Sequence, residues 1–253
     1  MPAKVPERYL GPQSESPTGY KLTSGFANQK GESVRQPTAL EQNTVYVTAL
    51  SPDDRPVGDL DKFAGVDVHG FLVARDMRQA YYAKGDGPVA EGADARALKF
   101  LPREGGDHAM MVVVSPAGTG QVQTISTPVV IKGALPEVMG PGVSGLTARS
   151  RTKGGDVELR SDAPLVVGQM AKLSTVDVDN TGQSKGAHKL PFALLYNDQM
   201  GYGEVLTWDD AGTTTWRPTE AGTFLVLAPP EEGETALTFK LVVTAPEPDK
   251  AAR

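Results

Sequence analysis

The chain has 253 residues, enough for two domains of ordinary size or for one large all-β domain. Its formal net charge of −6 argues against a nucleic-acid binder and against an anionic-membrane binder, since both need a basic field. It has no cysteine, which excludes disulfides, zinc–thiolate sites, iron–sulfur clusters and cysteine nucleophiles. The 28 glycines and 20 prolines favour short strands and turns over helices.

The first 39 residues differ from the rest of the chain in composition and in apolar pattern. Residues 1–39 are rich in Pro, Gly, Ser, Gln and Asn and show no apolar period, so they predict an extended N-terminal arm. Its isolated aromatic residues Tyr9, Tyr20 and Phe26 are candidate contacts with a partner. The start of the chain has no apolar core of signal-peptide length, and no apolar run is long enough to span a membrane.

Two strand-rich blocks follow the arm. In residues 40–132, apolar runs such as Thr44–Leu50 and Met110–Val114 are separated by turn residues about every ten positions, which predicts an antiparallel sandwich. Residues 133–155 are dense in Gly and Pro and then basic, which predicts a linker. A second sandwich is predicted over residues 156–246, and a polar tail over 247–253.

The second block repeats the first. The heptapeptide Phe100–Gly106 (FLPREGG) matches Trp216–Gly222 (WRPTEAG) at identical spacing, and an apolar strand follows each copy. Upstream, Phe71–Met77 is similar to Phe192–Met200 if a short insertion is allowed. In this motif the aromatic closes a strand against the core, proline fixes φ at the exit, and glycine permits a tight corner.

This aromatic-x-Pro-x-Glu-x-Gly corner resembles that of bacterial and viral immunoglobulin-like β-sandwich domains. The second copy matches closely as far as Phe224, whereas the first has His108 where that aromatic is expected. The resemblance covers residues 40–132 and 156–245. It implies an all-β protein made of two tandem immunoglobulin-like antiparallel β-sandwiches behind the N-terminal arm, and it leaves the function open.

Metal binding was weighed on two features. Val68–Asp76 (VHGFLVARD) resembles small periplasmic immunoglobulin-like domains associated with metal handling, but the second histidine cluster of that pattern is missing from Tyr81–Lys84. His108 and Met110 could offer soft ligands to copper, although a methionine in an apolar strand is also ordinary core filler. We therefore predict no metal site, with His108 and Met110 as the only weak candidates.

No enzyme motif is recognisable in the chain. It contains no nucleophile elbow and no phosphate-binding loop, so we predict a protein that is not an enzyme, with no catalytic residue and no cofactor. Tyr81 and Tyr82 adjoin on a predicted strand, so one of them must lie on the outer face of its sheet. Tyr82 is taken as a candidate interface anchor.

The function expected from these features is that of a non-enzymatic structural or interaction protein. The specific hypothesis is a virion surface component, a capsid decoration or tail protein, whose arm clasps a capsid or other large particle and which contacts copies of itself. The alternative is an extracytoplasmic binding module, periplasmic or secreted and related to copper, made with a signal peptide that has been removed. A third hypothesis is carbohydrate binding through exposed aromatic residues such as Trp208.

Overall fold

The computed structural model is built from β-strands. It describes residues 14–16, 18–135, 147–152, 155–179, 181–197, 203–230 and 235–246. None of these residues forms a helix that could cross a membrane. They fall into two compact units. The first contains residues 14–16 and 18–135 together with Gly203, Pro230, Thr235 and Ala236, and the second contains the other described residues.

The first unit is a sandwich of two antiparallel sheets. One sheet has the order β1-β2-β4-β7, with β3 paired to β2, and the other has the order β6-β5-β8-β9. Its strands are β1 (Ser14–Glu15), β2 (Lys21–Ala27), β3 (Ser33–Val34), β4 (Asn43–Leu50), β5 (Val68–Ala74), β6 (Ala80–Gly85), β7 (Arg96–Phe100), β8 (Gly106–Val114) and β9 (Gln123–Ile131).

The core of the first unit lies between these sheets. Alternate residues of the strands point inward, as a period of two requires. Val45, Leu98 and Phe100 come from one sheet, and Met110 and Ile125 come from the other; all five are almost fully buried. The large apolar side chains therefore meet between two layers, which is the arrangement expected for a sandwich.

The described strands of the predicted arm, from Ser14 onward, are part of this sandwich. β2 pairs antiparallel with β4 along its whole length, and Leu22 is buried in the core. The sequence KLTSGFA escaped prediction because Thr, Ser and Gly interrupt the alternation, while β1, β3 and β4 supply the backbone pairing that orders it. Residues 1–13, which include Tyr9, lie outside the described residues.

The second unit is a sandwich of the same kind. One sheet has the order β10-β11-β12-β13, with β16 also paired to β12, and the other has the order β15-β14-β17-β18. Its strands are β10 (Thr147–Thr152), β11 (Gly155–Ser161), β12 (Ala171–Val178), β13 (Ser184–Ala187), β14 (Ala193–Tyr196), β15 (Gly203–Leu206), β16 (Thr213–Trp216), β17 (Gly222–Ala228) and β18 (Leu237–Val243).

Part of the predicted linker is also a strand. β10 forms an antiparallel hairpin with β11 at the edge of its sheet. Its sequence, TARSRT, has no apolar period, because backbone pairing to one neighbour is enough to hold a polar edge strand. The second sandwich therefore begins before residue 156, just as the first begins before residue 40.

The repeat seen in the sequence is a repeat of structure. Asn43 lies opposite Phe100 across β4 and β7, and Ala171 lies opposite Trp216 across β12 and β16. The two corner motifs therefore leave equivalent strands at equivalent positions. The tandem all-β sandwich fold predicted from the sequence is confirmed.

The upstream match needs a shift of two residues. In the first sandwich, Met111 is five residues after Gly106 and lies opposite Phe71. In the second, Leu227 is five residues after Gly222 and lies opposite Leu194. Phe71 is thus equivalent to Leu194 rather than to Phe192, because register follows the strand partners and not the nearest aromatic residue.

Candidate binding site at the corner of the first sandwich

Three chain segments meet at the corner of the first sandwich. β5 ends at Ala74, which lies opposite His108 at the start of β8. The corner loop lies against the segment after β9, where the Gly105 amide donates a 2.7 Å hydrogen bond to the Ala134 carbonyl. A Cβ on Gly105 would lie 2.5 Å from the carbonyl oxygen of Gly133, so this close approach requires glycine.

These segments line a pocket of about 330 Å³ that is open to the solvent on one side. It has a polar wall and an apolar wall. The lining residues are Ala74, Arg75, Asp76, Glu104, Gly105, Gly106, Asp107, His108 and Leu135.

Glu104 is the most unusual group of this pocket. Its side chain is 8 % exposed, and no described residue hydrogen-bonds its Oε1. Burial raises the pKa of the Glu104 carboxyl; the negative charge of Asp76 raises it further, and Arg78 lowers it. A carboxyl group without a partner is costly to bury, so Glu104 is under-satisfied in the protein alone.

His108 is the second under-satisfied group. Its Nδ1 lies 3.1 Å from the carbonyl oxygen of Gly106, an acceptor, so Nδ1 carries the proton. Burial lowers the pKa of His108, against the opposing effects of that hydrogen bond, Asp76 and Asp107. Nε2 of the neutral ring is then a bare acceptor, and it is buried without a partner among the described residues.

The charged groups at the rim pair with one another. Arg75 Nη1 lies 3.7 Å from Asp107 Oδ2, and Arg78 Nε lies 3.3 Å from Asp76 Oδ2. Both pairs are partly exposed and contribute little to stability. Both arginines are thus paired with other carboxylates, and the Oε1 of Glu104 has no hydrogen-bond partner in the described structure.

The equivalent corner of the second sandwich is closed. Phe224 stands in β17 where His108 stands in β8, and its ring packs edge-on against Trp216 with 5.1 Å between centroids. Glu220, the counterpart of Glu104, is exposed. At this motif the second unit packs two aromatic rings together, whereas the first unit has a pocket with two buried acceptor atoms that lack hydrogen-bond partners.

An exposed leucine lies beside the pocket. The Leu40 amide donates to the Pro102 carbonyl at 2.7 Å, just as Gly168 donates to Pro218 at 2.8 Å in the other unit. Both residues have left-handed backbone, with φ of 63° at Leu40 and 79° at Gly168. Leu40 is 76 % exposed, so it occupies a glycine position and points its side chain to the solvent.

The two candidate copper ligands lie at different places along β8. Met110 is fully buried in the core between the two sheets. His108 shares the inward side of β8 but lies at its end, in the pocket wall. The described residues contain no group of three or more His, Asp or Glu side chains arranged to hold a metal ion.

Tyr82 does not face the solvent, contrary to the expectation from alternation. Tyr81 points into the core, whereas Tyr82 lies on the opposite face of the sheet and is nevertheless buried. Its hydroxyl lies 2.8 Å from Nδ1 of His69, whose Nε2 lies 2.7 Å from the Phe63 carbonyl oxygen. Both ring nitrogens of His69 are therefore occupied, and burial raises the pKa of Tyr82 to about 12.

The other aromatic candidates are also at least partly covered. Tyr20 and Phe26 are half-buried and pack against the core of the first sandwich. Trp208 is 7 % exposed, so it offers no open platform for a sugar. Sequence reasoning missed Glu104 as a site residue; the available signal was His108 in place of an aromatic four residues after it.

The comparisons with known proteins concern the fold. No protein-family model matches the chain, and no curated protein matches it. Solved structures similar to it include the fibronectin(III)-like modules of Clostridium thermocellum CbhA, at 11 % identity, with 87 % of this chain and 94 % of that chain covered and a TM-score of 0.21. The D0-D1 domain of intimin is 13 % identical over 88 % of this chain and 96 % of that one, with a TM-score of 0.21.

Proposed function

We propose that the protein is a non-enzymatic structural or interaction protein that binds a larger protein assembly through the loop end of its first sandwich. The exposed side chain of Leu40 carries this proposal. A leucine in left-handed backbone costs about 1 kcal/mol relative to glycine, and it leaves apolar surface in water. No contact in the described fold offsets the backbone strain and the exposed apolar surface, whereas burial of the side chain against a partner would offset both.

Two more leucines extend this apolar surface. Leu101 is 40 % exposed, and it precedes Pro102, whose carbonyl accepts the hydrogen bond from the Leu40 amide. Leu135 follows the segment that packs against Gly105, and it is 74 % exposed. Leucines carried on neighbouring loops suit a protein interface, because buried apolar anchors dominate the energetics of such contacts.

Within this function, the particular assembly that we propose is a virion, with the protein as a capsid decoration or tail component. The N-terminal arm predicted from the sequence, with Tyr9, would then clasp the particle while the sandwiches project from it. The composition of this segment supports the idea, since a polar chain rich in proline suits an arm that orders on its partner.

Particle composition tests the proposal. Particles sedimented from the native source should contain the chain at a fixed ratio to their major protein, as measured by quantitative mass spectrometry. In reconstitution, Leu40→Asp should weaken binding to stripped particles at least about tenfold. Met170→Asp is the matched control, because Met170 is 62 % exposed near the equivalent loop of the second sandwich. A chain that stays monomeric and sediments with no particle would refute the proposal.

A further inference from the structure

We propose that the pocket between β5, β8 and the corner loop of the first sandwich binds a primary ammonium group on an alkyl chain. The inference depends on the two under-satisfied side chains, and Leu135 is the one residue that the pocket shares with the proposed interface. The pocket holds two buried hydrogen-bond acceptors and no buried donor to match them among the described side chains that line it.

The burial of these two acceptors distinguishes them from ordinary polar groups of the surface. Glu104 is 8 % exposed and His108 is 4 % exposed, and both line the same cavity. Ordinary surface carboxylates are hydrated, but buried polar atoms are almost always hydrogen-bonded. A ligand that donates one hydrogen bond to Glu104 Oε1 and another to His108 Nε2 would give both atoms the partners they lack.

The charge of the pocket selects a cation. Its lining contains the carboxyl groups of Asp76, Glu104 and Asp107 against the single positive charge of Arg75. Arg75 lies near Asp107, and the neighbouring Arg78 pairs with Asp76. A bound cation would compensate the charge of Glu104, which is the most buried of the three carboxyl groups.

The placement of the acceptors favours ammonium over guanidinium. The two unpartnered atoms are one oxygen of Glu104, Oε1, and Nε2 of His108, rather than both oxygens of one carboxylate, which is the planar pair that a guanidinium fork binds. An ammonium group has three diverging donors, enough for both side chains and one water molecule. Ala74 and Leu135 supply apolar surface for the alkyl stem.

Imidazole NMR can follow binding directly, because the chain has only three histidines. The probe is Nα-acetyl-lysine N-methylamide, titrated into the full-length protein at neutral pH. We expect saturable shifts confined to the His108 signals, with a dissociation constant on the order of 1 mM for so small a ligand. The neutral norleucine analogue, which lacks the charged nitrogen, should cause no saturable shift.

Variants separate the pocket from a general attraction of cations to an acidic protein. Glu104→Gln should weaken binding at least about tenfold, because it removes the buried charge that the ammonium pairs with. Glu220→Gln removes the equivalent but exposed carboxylate of the second sandwich and should change nothing. His108→Phe installs the residue of the equivalent corner of the second sandwich, and the signal missing from its spectrum identifies His108 in the wild type.

A second pair of probes distinguishes the source of the amine. If the lysine amide binds more tightly than 1,5-diaminopentane, the ligand is a lysine side chain of a protein. If the diamine binds more tightly, the ligand is a free amine. Equal binding of the norleucine analogue, or unchanged binding by Glu104→Gln, would overturn the proposal.

Discussion

The two corner motifs have the same spacing and opposite chemistry. In the second sandwich, Phe224 fills the corner and packs against Trp216, while Glu220 is exposed. In the first, His108 replaces the phenyl ring and Glu104 is buried. A repeated motif therefore fixes the path of the backbone, and one or two side chains decide whether the corner is core or cavity.

Glycine accounts for part of this difference. Gly105 allows the backbone at Gly133 to approach closely, whereas Ala221 stands at the equivalent place in the second corner. The segment that follows β9 can therefore fold over the first corner, and its Leu135 forms one wall of the pocket. The pocket depends on a close backbone contact as well as on its polar residues.

The largest expected effect comes from making the closed corner resemble the open one. Phe224→His should destabilise the second sandwich by about 3 kcal/mol, because it removes a buried ring and buries a polar one without a partner. Tryptophan fluorescence in urea reports this unit alone, since both tryptophans, Trp208 and Trp216, belong to it. An unchanged urea midpoint would contradict the assigned role of Phe224.

The next effect tests the close backbone contact. Gly105→Ala should destabilise the first sandwich by about 2 kcal/mol, because the added methyl group meets backbone atoms of Gly133 that have no rotamer to give way. Amide hydrogen exchange across β8 and β9 measures the change. The reciprocal Ala221→Gly should cost only about 0.5 kcal/mol, through the entropy of the unfolded chain. Equal losses in both variants would show that the two corners do not differ in this way.

The sequence alone was sufficient for the fold class and for the repeat. Strands such as β4 and β8 carry strong apolar runs, and the corner motif fixes proline and glycine at the exits. It was insufficient for β2 in the first sandwich and for β10 in the second. Both are polar or interrupted by small residues, and backbone pairing determines them rather than an apolar pattern: β2 pairs with the distant β4, and β10 pairs with β11, the next strand along the chain.

The candidate site was harder to predict than the fold. His108 stood out because an aromatic was expected there, but burial of Glu104 depends on the path of residues 133–135, far away in sequence. The same limit applies to Tyr82, which lies on the outer face of its sheet yet is buried. The alternation of residues along a strand predicts which face of the sheet a side chain lies on, whereas its solvent exposure depends on what packs against that face.

A smaller effect concerns Leu40. Leu40→Gly should stabilise the first sandwich by about 1 kcal/mol, because glycine adopts the φ of 63° without steric cost. Gly168→Leu should destabilise the second sandwich by a similar amount. Hydrogen exchange and urea unfolding measure the two changes. A loss of stability in Leu40→Gly would mean that the leucine side chain supports the fold, which would remove the argument for its role in an interface.

The smallest effect is a change in pH dependence. The folded state raises the pKa of Glu104 above its unfolded value, so the folded state binds this proton more tightly. The stabilising contribution is present below the unfolded pKa and is lost as the pH rises through the folded pKa. Glu104→Gln should therefore gain stability relative to the wild type as the pH rises from the usual glutamate pKa through the raised pKa of the folded state.

The burial of His108 acts in the opposite direction, since its lowered pKa contributes stability that is lost as the pH falls. His108, Asp76, Asp107, Arg75 and Arg78 are present in both proteins, so the difference between wild type and Glu104→Gln isolates the carboxyl group. Glu220→Gln should follow the wild-type curve. Parallel curves for wild type and Glu104→Gln would mean that Glu104 is hydrated in solution, and the first corner would then be as relaxed as the second.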